Sequence, residues 1–278
     1  MIDQNWRGAV DLVNTQKVAR YGAFYVAEYR IRNILKWWQA VLAFDIGNPI
    51  LFLTSIGIGV GTLVNQHNGG TGPDGVKYLT FLAPALLATA ALQGTMEEVT
   101  FPVMHGFDWR KVFFAMYAAG LTGKQVAQGI MLSAIAKGSF AVSIYWIVLW
   151  LANGFSSLSA LWLIPIEIYF GACFACVIMA VASFVKKDDG WFAIIGRFVI
   201  APMFLFSGTF YSLATLPLSV RWVGWISPLW HATEIGRYVS YRQDFSVAML
   251  LVHFGYLTAL GATGLAIAYW KFAKRLAE

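Results

Sequence analysis

Six stretches of this sequence are long and apolar enough to cross a membrane as helices, and that feature removes most folds from consideration. A crossing helix needs about 20 mainly apolar residues to span roughly 30 Å of hydrocarbon. The stretches cover residues 40–64, 78–92 or a little beyond, 133–152, 158–185, 191–211 and 247–270. Backbone polar groups in hydrocarbon must be satisfied within the protein, and apolar runs of this length do so as helices. The expected fold is an all-α polytopic membrane protein with six transmembrane helices. The link at 153–157 is short, so the third and fourth spans should form an antiparallel hairpin. A single domain is expected, with an N-terminal segment at 1–39, the six-span region at 40–270 and a tail at 271–278.

Composition agrees. Of 278 residues, 59% are hydrophobic and 12% charged, against about 25% charged in an ordinary soluble domain. Aromatics reach 16%, with 12 Trp and 21 Phe, which suits lipid-facing surfaces and interfacial belts. The net charge of +6 then reads as topology information and contact with anionic headgroups. Membrane lipid is an expected partner and nucleic acid is not.

Lysine and arginine set the orientation. Arg7, Lys17, Arg20, Arg30, Arg32 and Lys36 precede the first span, and Arg110, Lys111, Lys124 and Lys137 follow the second. Lys186, Lys187 and Arg197 lie around the turn between spans four and five, and Lys271, Lys274 and Arg275 follow the sixth. The other side holds Lys77, Arg221, Arg237 and Arg242, a ratio of sixteen to four. Both termini are therefore expected in the cytoplasm. Residues 1–14 are polar, with Asp3, Arg7 and Asp11 and no apolar run of signal-peptide type behind them. The first span is expected to stay as an anchor.

Two segments stand outside the spans. Residues 17–36 mix Val18, Phe24, Tyr25, Val26, Ile31, Ile34 and Leu35 with Arg20, Glu28, Arg30 and Arg32, the composition of an amphipathic helix lying on a leaflet. Residues 213–242 hold Pro217, Pro228, Trp222, Trp225 and Trp230. That stretch is too broken to cross and too apolar for a free loop, so an outer re-entrant hairpin fits. Residues 65–75 read as a flexible outer loop from their Gly, Asn and Pro content.

Motifs of soluble chemistry are missing. The nearest approach to a phosphate-binding loop is Gly120-Leu121-Thr122-Gly123-Lys124-Gln125, with Ala118 where a Gly and Gln125 where a Ser or Thr is needed. The chain itself is expected to bind no ATP. No H-E-x-x-H or G-x-S-x-G occurs, and His67, His105, His231 and His253 are scattered; no catalytic, cofactor or metal site is expected. Cys173 and Cys176 form a C-x-x-C inside an apolar run and read as two small residues on a packed helix. Charge inside a span is costly and so carries information. Glu167 lies about ten residues into the fourth span, where a polar lining of a substrate path competes with a neutral or hydrogen-bonded buried carboxyl. Glu97 and Glu98 read as a solvated end of the second span. Asp45 is near enough to the interface to be hydrated or paired with Lys36, and Arg197 can snorkel. Pro84, Pro165 and Pro202 are expected to kink spans two, four and five.

Several longer patterns carry a resemblance. Gly47-Asn48-Pro49-Ile50-Leu51-Phe52-Leu53 opens span one, Ser207-Gly208-Thr209-Phe210-Tyr211 ends span five, and Leu216-Pro217 follows. Pro228-Leu229-Trp230-His231-Ala232 comes next, with Arg237 behind it. With residues 78–82 and 121–129, these patterns resemble the type-2 ABC export permeases over nearly the whole chain from Phe24. The likeness is greatest to the NodJ-like branch, whose namesake exports lipo-oligosaccharide nodulation signals. Ile130 stands where that branch often has a glutamate.

The resemblance implies a permease that pairs with a second one, identical or paralogous, and with two copies of an ABC ATPase that hold the ATP and magnesium. It implies that Leu121, Thr122, Lys124, Gln125, Val126 and Gln128 form a short coupling helix, with Val126 entering an apolar cleft of the ATPase. It also implies that Ser207, Gly208, Pro217, Pro228, His231 and Glu234 belong to the outer re-entrant gate. The expected function is ATP-driven export of an amphipathic lipid, glycolipid or lipo-oligosaccharide from the cytoplasm or inner leaflet. A drug or antibiotic efflux permease is the alternative. A membrane-embedded lipid-modifying enzyme ranks behind both, because convergent catalytic groups are wanting.

Overall fold

The computed structural model describes residues 15–67, 71–186, 190–241 and 246–278, and these residues form helices and turns without a strand. The polar segment 1–14, loop residues 68–70, Lys187 and Arg242 lie outside the described residues. The helices are α1 (Thr15–Leu35), α2 (Trp38–Phe52), α3 (Gly61–His67), α4 (Tyr78–Val99), α5 (Phe101–Phe107), α6 (Val112–Ala118) and α7 (Gly123–Leu151). There follow α8 (Leu163–Phe184), α9 (Trp191–Ile195), α10 (Ala201–Phe206), α11 (Leu218–Ile226), α12 (Pro228–Tyr241) and α13 (Val247–Ala277).

Among the described residues, five helical runs are long and apolar enough to cross a membrane: Trp38–Val64, Tyr78–Phe107, Gly123–Leu151, Leu158–Phe184 and Val247–Ala277. The run expected as the fifth of six crossings, Trp191–Phe206, is a shorter apolar helix. Proline shapes two of these runs. Pro49 lies inside α2, and the π-helical stretch Leu53–Val60 follows it; a second π-helical stretch, Gly196–Ile200, runs into Pro202 at the start of α10. A proline removes one N–H from the ladder and crowds the preceding turn, and the widened turn before Pro202 accommodates both. Pro84, by contrast, sits inside an α4 that continues to Val99. The second span therefore outruns residue 92, and its break comes at Thr100, two residues before Pro102.

The core is built from α4, α7, α8 and α13, with α12 laid against α4 and α8. Phe81, Leu82, Leu87, Phe170, Ile130 and Phe272 are fully buried there. The C-x-x-C motif explains part of this packing. Cys173 and Cys176 are free and buried, and they face Gly261 and Gly264 of α13. A Cβ at those glycines would stand 3.0 Å from Cys173 Sγ and 2.7 Å from the Val177 nitrogen. Small residues on both helices thus let their backbones approach, as expected for a packing motif.

Two ends of the bundle can be told apart by their contacts. At one end Arg275 grips Asp108 through two 3.0 Å bonds and donates to the Ser183 carbonyl at 2.9 Å. Arg30 of α1 pairs there with Glu98 of α4. That pairing corrects the reading of Glu98 as a solvated helix end, since it is 7% exposed. At the other end Tyr78 donates to the Phe210 carbonyl at 3.1 Å, and Tyr241 to the Asp74 carboxylate at 3.0 Å.

Helix α1 runs along α7. Val26 and Ala27 are buried, while Tyr21, Phe24, Tyr25, Tyr29 and Leu35 stay exposed. One flank thus packs on protein and another presents aromatics, alongside Glu28 and Arg32 paired at 2.6 Å.

Candidate functional site

A cavity of about 530 Å³ opens between α2, α4, α7 and α10. Its walls are mainly apolar: Phe44, Leu51 and Phe52 from the first run, Leu86 and Ala90 from α4, and Met203 and Phe204 from α10. Polar groups gather around Asn48, Asp45, Gln93 and Glu97. Behind them Lys137 of α7 donates to both oxygens of Asp45, at 2.9 and 2.7 Å, and reaches a Glu97 oxygen at 3.3 Å. The Lys137 and Asp45 side chains are 4% and 9% exposed, and that of Glu97 is 57% exposed. Asp45 therefore pairs across the bundle and not with Lys36, its expected neighbour. Asp45, Glu97 and Lys137 lie far apart in sequence, and only the fold brings them together. The available signal was a pair of opposite charges in two different spans, each close to one end.

The far end holds a second polar centre. Gly208 turns the chain after α10 with φ +70°, where a side chain would be strained. Its carbonyl accepts from Arg237 Nη2 at 2.6 Å, and Arg237 Nη1 donates to Glu234 at 2.8 Å. The guanidinium lies 3.8 Å over the Phe81 ring and the residue is 1% exposed. Burial raises the Glu234 carboxyl, and the charge of Arg237 works against that rise. Ser207 and Ser227 share a hydrogen bond. His231 meets His253 of α13 Nδ1 to Nδ1 at 2.7 Å, one ring donating, and its Nε2 lies 3.0 Å from the Trp225 carbonyl. Pro217 precedes α11 and Pro228 opens α12. The residues expected to act as a gate thus lie around one short helix pair. Arg237, noted in the sequence only as part of a pattern, is its buried hub.

The expected coupling segment is placed differently. Residues 123–129 are the first two turns of α7, and the sequence instead suggested a separate short helix. Thr122 caps this helix, accepting from the Gln125 N–H at 3.2 Å while the Gln125 side chain accepts from the Thr122 N–H at 2.9 Å. Gln125 also donates to the Val18 and Ala19 carbonyls, at 2.9 Å each, and so holds α1. Val126 is fully buried, which corrects the expectation that it enters a cleft on another protein. Leu121 packs on the core and Gln128 is half-buried; Thr122 and Lys124 are exposed, with Lys124 5.5 Å from the Tyr269 ring. Exposed apolar side chains at this end include Trp109, Phe114 and Tyr117, on and beside α6.

Residues 24–241 match the family model described as ABC-2 type transporter. The chain belongs to the ABC-2 type transporter family. It is thus a multi-pass membrane permease, a transport subunit and not an enzyme. Three proteins named Nodulation protein J are similar to it. That of Rhizobium leguminosarum bv. viciae is 28% identical over 239 residues, covering 85% of this chain and 88% of the relative. That of Rhizobium meliloti is 26% identical over 216 residues, 77% of this chain and 79% of the relative. That of Azorhizobium caulinodans is 23% identical over 214 residues, 76% and 82% respectively.

Glu167 does not line the cavity of this ABC-2 permease. It is fully buried in α8, and a Cβ on Gly236 of α12 would stand 2.9 Å from its Oε1. Neither carboxyl oxygen has a hydrogen-bond partner among the described residues. A polar group buried without a partner costs stability. Replacing Glu167 with leucine is therefore expected to leave the thermal midpoint of the purified permease unchanged or to raise it. A drop of several degrees would show that the carboxyl has a partner it depends on.

Proposed function

We propose that this ABC-2 permease is the membrane half of an ATP-driven exporter. It acts with two copies of an ABC ATPase, which carry the ATP and magnesium, and with a second permease, identical or paralogous. The family match over residues 24–241 is the observation that carries this reading. The cavity between α2, α4, α7 and α10 is read as the cargo path. Its apolar walls and single polar end suit an amphiphile, in line with the lipid, glycolipid or lipo-oligosaccharide implied by the sequence resemblance. Efflux of an apolar drug is the second reading, since the same walls would hold one. An enzyme acting on lipids is disfavoured, because Glu167 faces no cavity.

Trp191–Phe206 is read as a sixth crossing. Its 16 residues reach about 24 Å at 1.5 Å per residue, short of the hydrocarbon thickness by an amount that local thinning absorbs. Helices α11 and α12, too short to cross, are read as re-entering the outer leaflet, with α1 as the amphipathic connecting helix on the inner one. The lysine and arginine bias puts both termini in the cytoplasm. The beginnings of α1 and α7 and the end of α6 meet at one end of the bundle. The ATPase is then read as docking on α6 through Phe114, Tyr117 and Trp109, beside the polar start of α7.

A cysteine at Tyr117 should crosslink to an ATPase in native membranes. A cysteine at Ser219, on the opposite end, should react with an impermeant thiol reagent added outside and form no such crosslink. Outside labelling at 117 would overturn the orientation, and a crosslink at neither position would remove the ATPase from this surface.

A further inference from the structure

The polar end of the cavity carries a charge imbalance. Asp45 and Glu97 line it, and one ammonium, Lys137, stands behind them. Two carboxylates against one lysine leave one net negative charge. The geometry says where that charge is offered. Asp45 holds Lys137 through two short bonds and is nearly buried, so that pair is closed. Glu97 touches Lys137 at 3.3 Å by one oxygen and is more than half exposed. Its remaining acceptor capacity is available to whatever occupies the cavity. The neighbouring lining groups Asn48 and Gln93 are neutral. Arg197, next to the lining residue Gly196, is exposed and is not part of the lining.

We propose that the Asp45–Lys137–Glu97 corner selects cargo by head-group charge, taking an amphiphile with a cationic head and rejecting one with a phosphate head. The apolar chain lies along Phe44, Leu51, Phe52 and Phe204, and the ammonium meets the Glu97 carboxylate. A cavity open to a bilayer is bathed in phospholipid, and every phospholipid head carries a phosphate. An acidic corner with low-dielectric walls raises the cost of that phosphate and lowers the cost of a cation, since charges there interact more strongly than in bulk water. Discrimination of this kind keeps the site clear of anionic host lipid, because specificity is a difference between two affinities. The proposal rests on reading the cavity as the cargo path.

The test compares dodecylamine with dodecyl phosphate, two probes of equal chain length and opposite charge. Binding to the full-length permease in phosphatidylcholine nanodiscs is measured by titration calorimetry, with empty nanodiscs subtracted. Dodecylamine should bind about tenfold tighter than dodecyl phosphate, as expected for one partly exposed charge contact. Glu97→Gln, at an exposed side chain, should bring the two affinities within about twofold. Glu97→Lys should reverse the order. Ser55→Trp, which fills the cavity from an exposed lining position, should weaken both probes alike and so places the binding in the cavity. Equal affinities in the unmodified protein, or a preference untouched by Glu97→Gln, would overturn the charge selection while leaving the cargo path standing. Failure of both probes to bind, or binding indifferent to Ser55→Trp, would overturn the cargo path as well.

Discussion

Arg237→Ala is expected to lower the stability of the purified permease by about 3–5 kcal/mol, as removal of one partner from a buried ion pair does. Three interactions fail together: the bond to Glu234 at 2.8 Å, the bond to the Gly208 carbonyl at 2.6 Å, and the stacking 3.8 Å over Phe81. The first leaves a carboxyl 14% exposed with no cation beside it. The second frees a carbonyl in a turn whose residue is held at φ +70°. Lysine should not rescue the site, because an ammonium cannot serve two acceptors in one plane and stack on a ring at once. Glu234→Gln should cost less, since the guanidinium keeps Gly208 and Phe81 and the amide oxygen can still accept from it, although the buried charge loses its counter-ion. Thermal denaturation of the three variants checks the order. An alanine variant that melts with the unmodified protein would show that this end is not organised by Arg237.

The long spans were legible because membrane crossing imposes one requirement, apolar length, that a sequence displays directly. The hairpin of α7 and α8 followed from a link too short for another arrangement. Trp191–Phe206 was harder: the turn at Ser207 and Gly208 ends a run that composition alone extends to residue 211. Sites were less legible, because side-chain partnership depends on three-dimensional neighbours that spacing does not encode. The resemblance implies that Val126 enters an apolar cleft of the ATPase. In the fold it starts a long helix whose flank is covered by α1, with Gln125 tied to Val18 and Ala19. Glu167 attracted attention by its depth, yet depth does not distinguish a wall from an interior. Asp45 and Lys137 lie 92 residues apart, and only the packing of α2 against α7 brings them together. Gly208, Pro217 and Pro228 mark their turns locally in the sequence, whereas Arg237 acts through acceptors 3 and 29 residues away.

Lys137→Met should be the more damaging of two related changes, and the contrast separates stability from selectivity. The methionine removes the ammonium and strands the Asp45 carboxylate, 9% exposed, between α2 and α7. An uncompensated charge of that kind costs about 3–5 kcal/mol. The double change Asp45→Leu with Lys137→Met removes both charges and puts apolar groups in their place, which is often neutral or stabilising. It should recover most of the lost stability. The first span has the most to lose, since its face is largely exposed: Phe44, Ile50, Leu51 and Leu63 all lie at the surface. Loosening should therefore appear there first, as faster reaction of a cysteine placed at Ser55 in Lys137→Met than in the double variant. Head-group preference should follow a different rule. The double change takes away one negative and one positive charge, so the corner keeps its net charge and Glu97 keeps its exposure. Discrimination between alkyl amine and alkyl phosphate should then survive in the double variant, although Glu97→Gln, which disturbs packing least, should abolish it. A double variant that folds but no longer discriminates would mean that the Asp45–Lys137 pair, and not the free carboxylate, reads the head group.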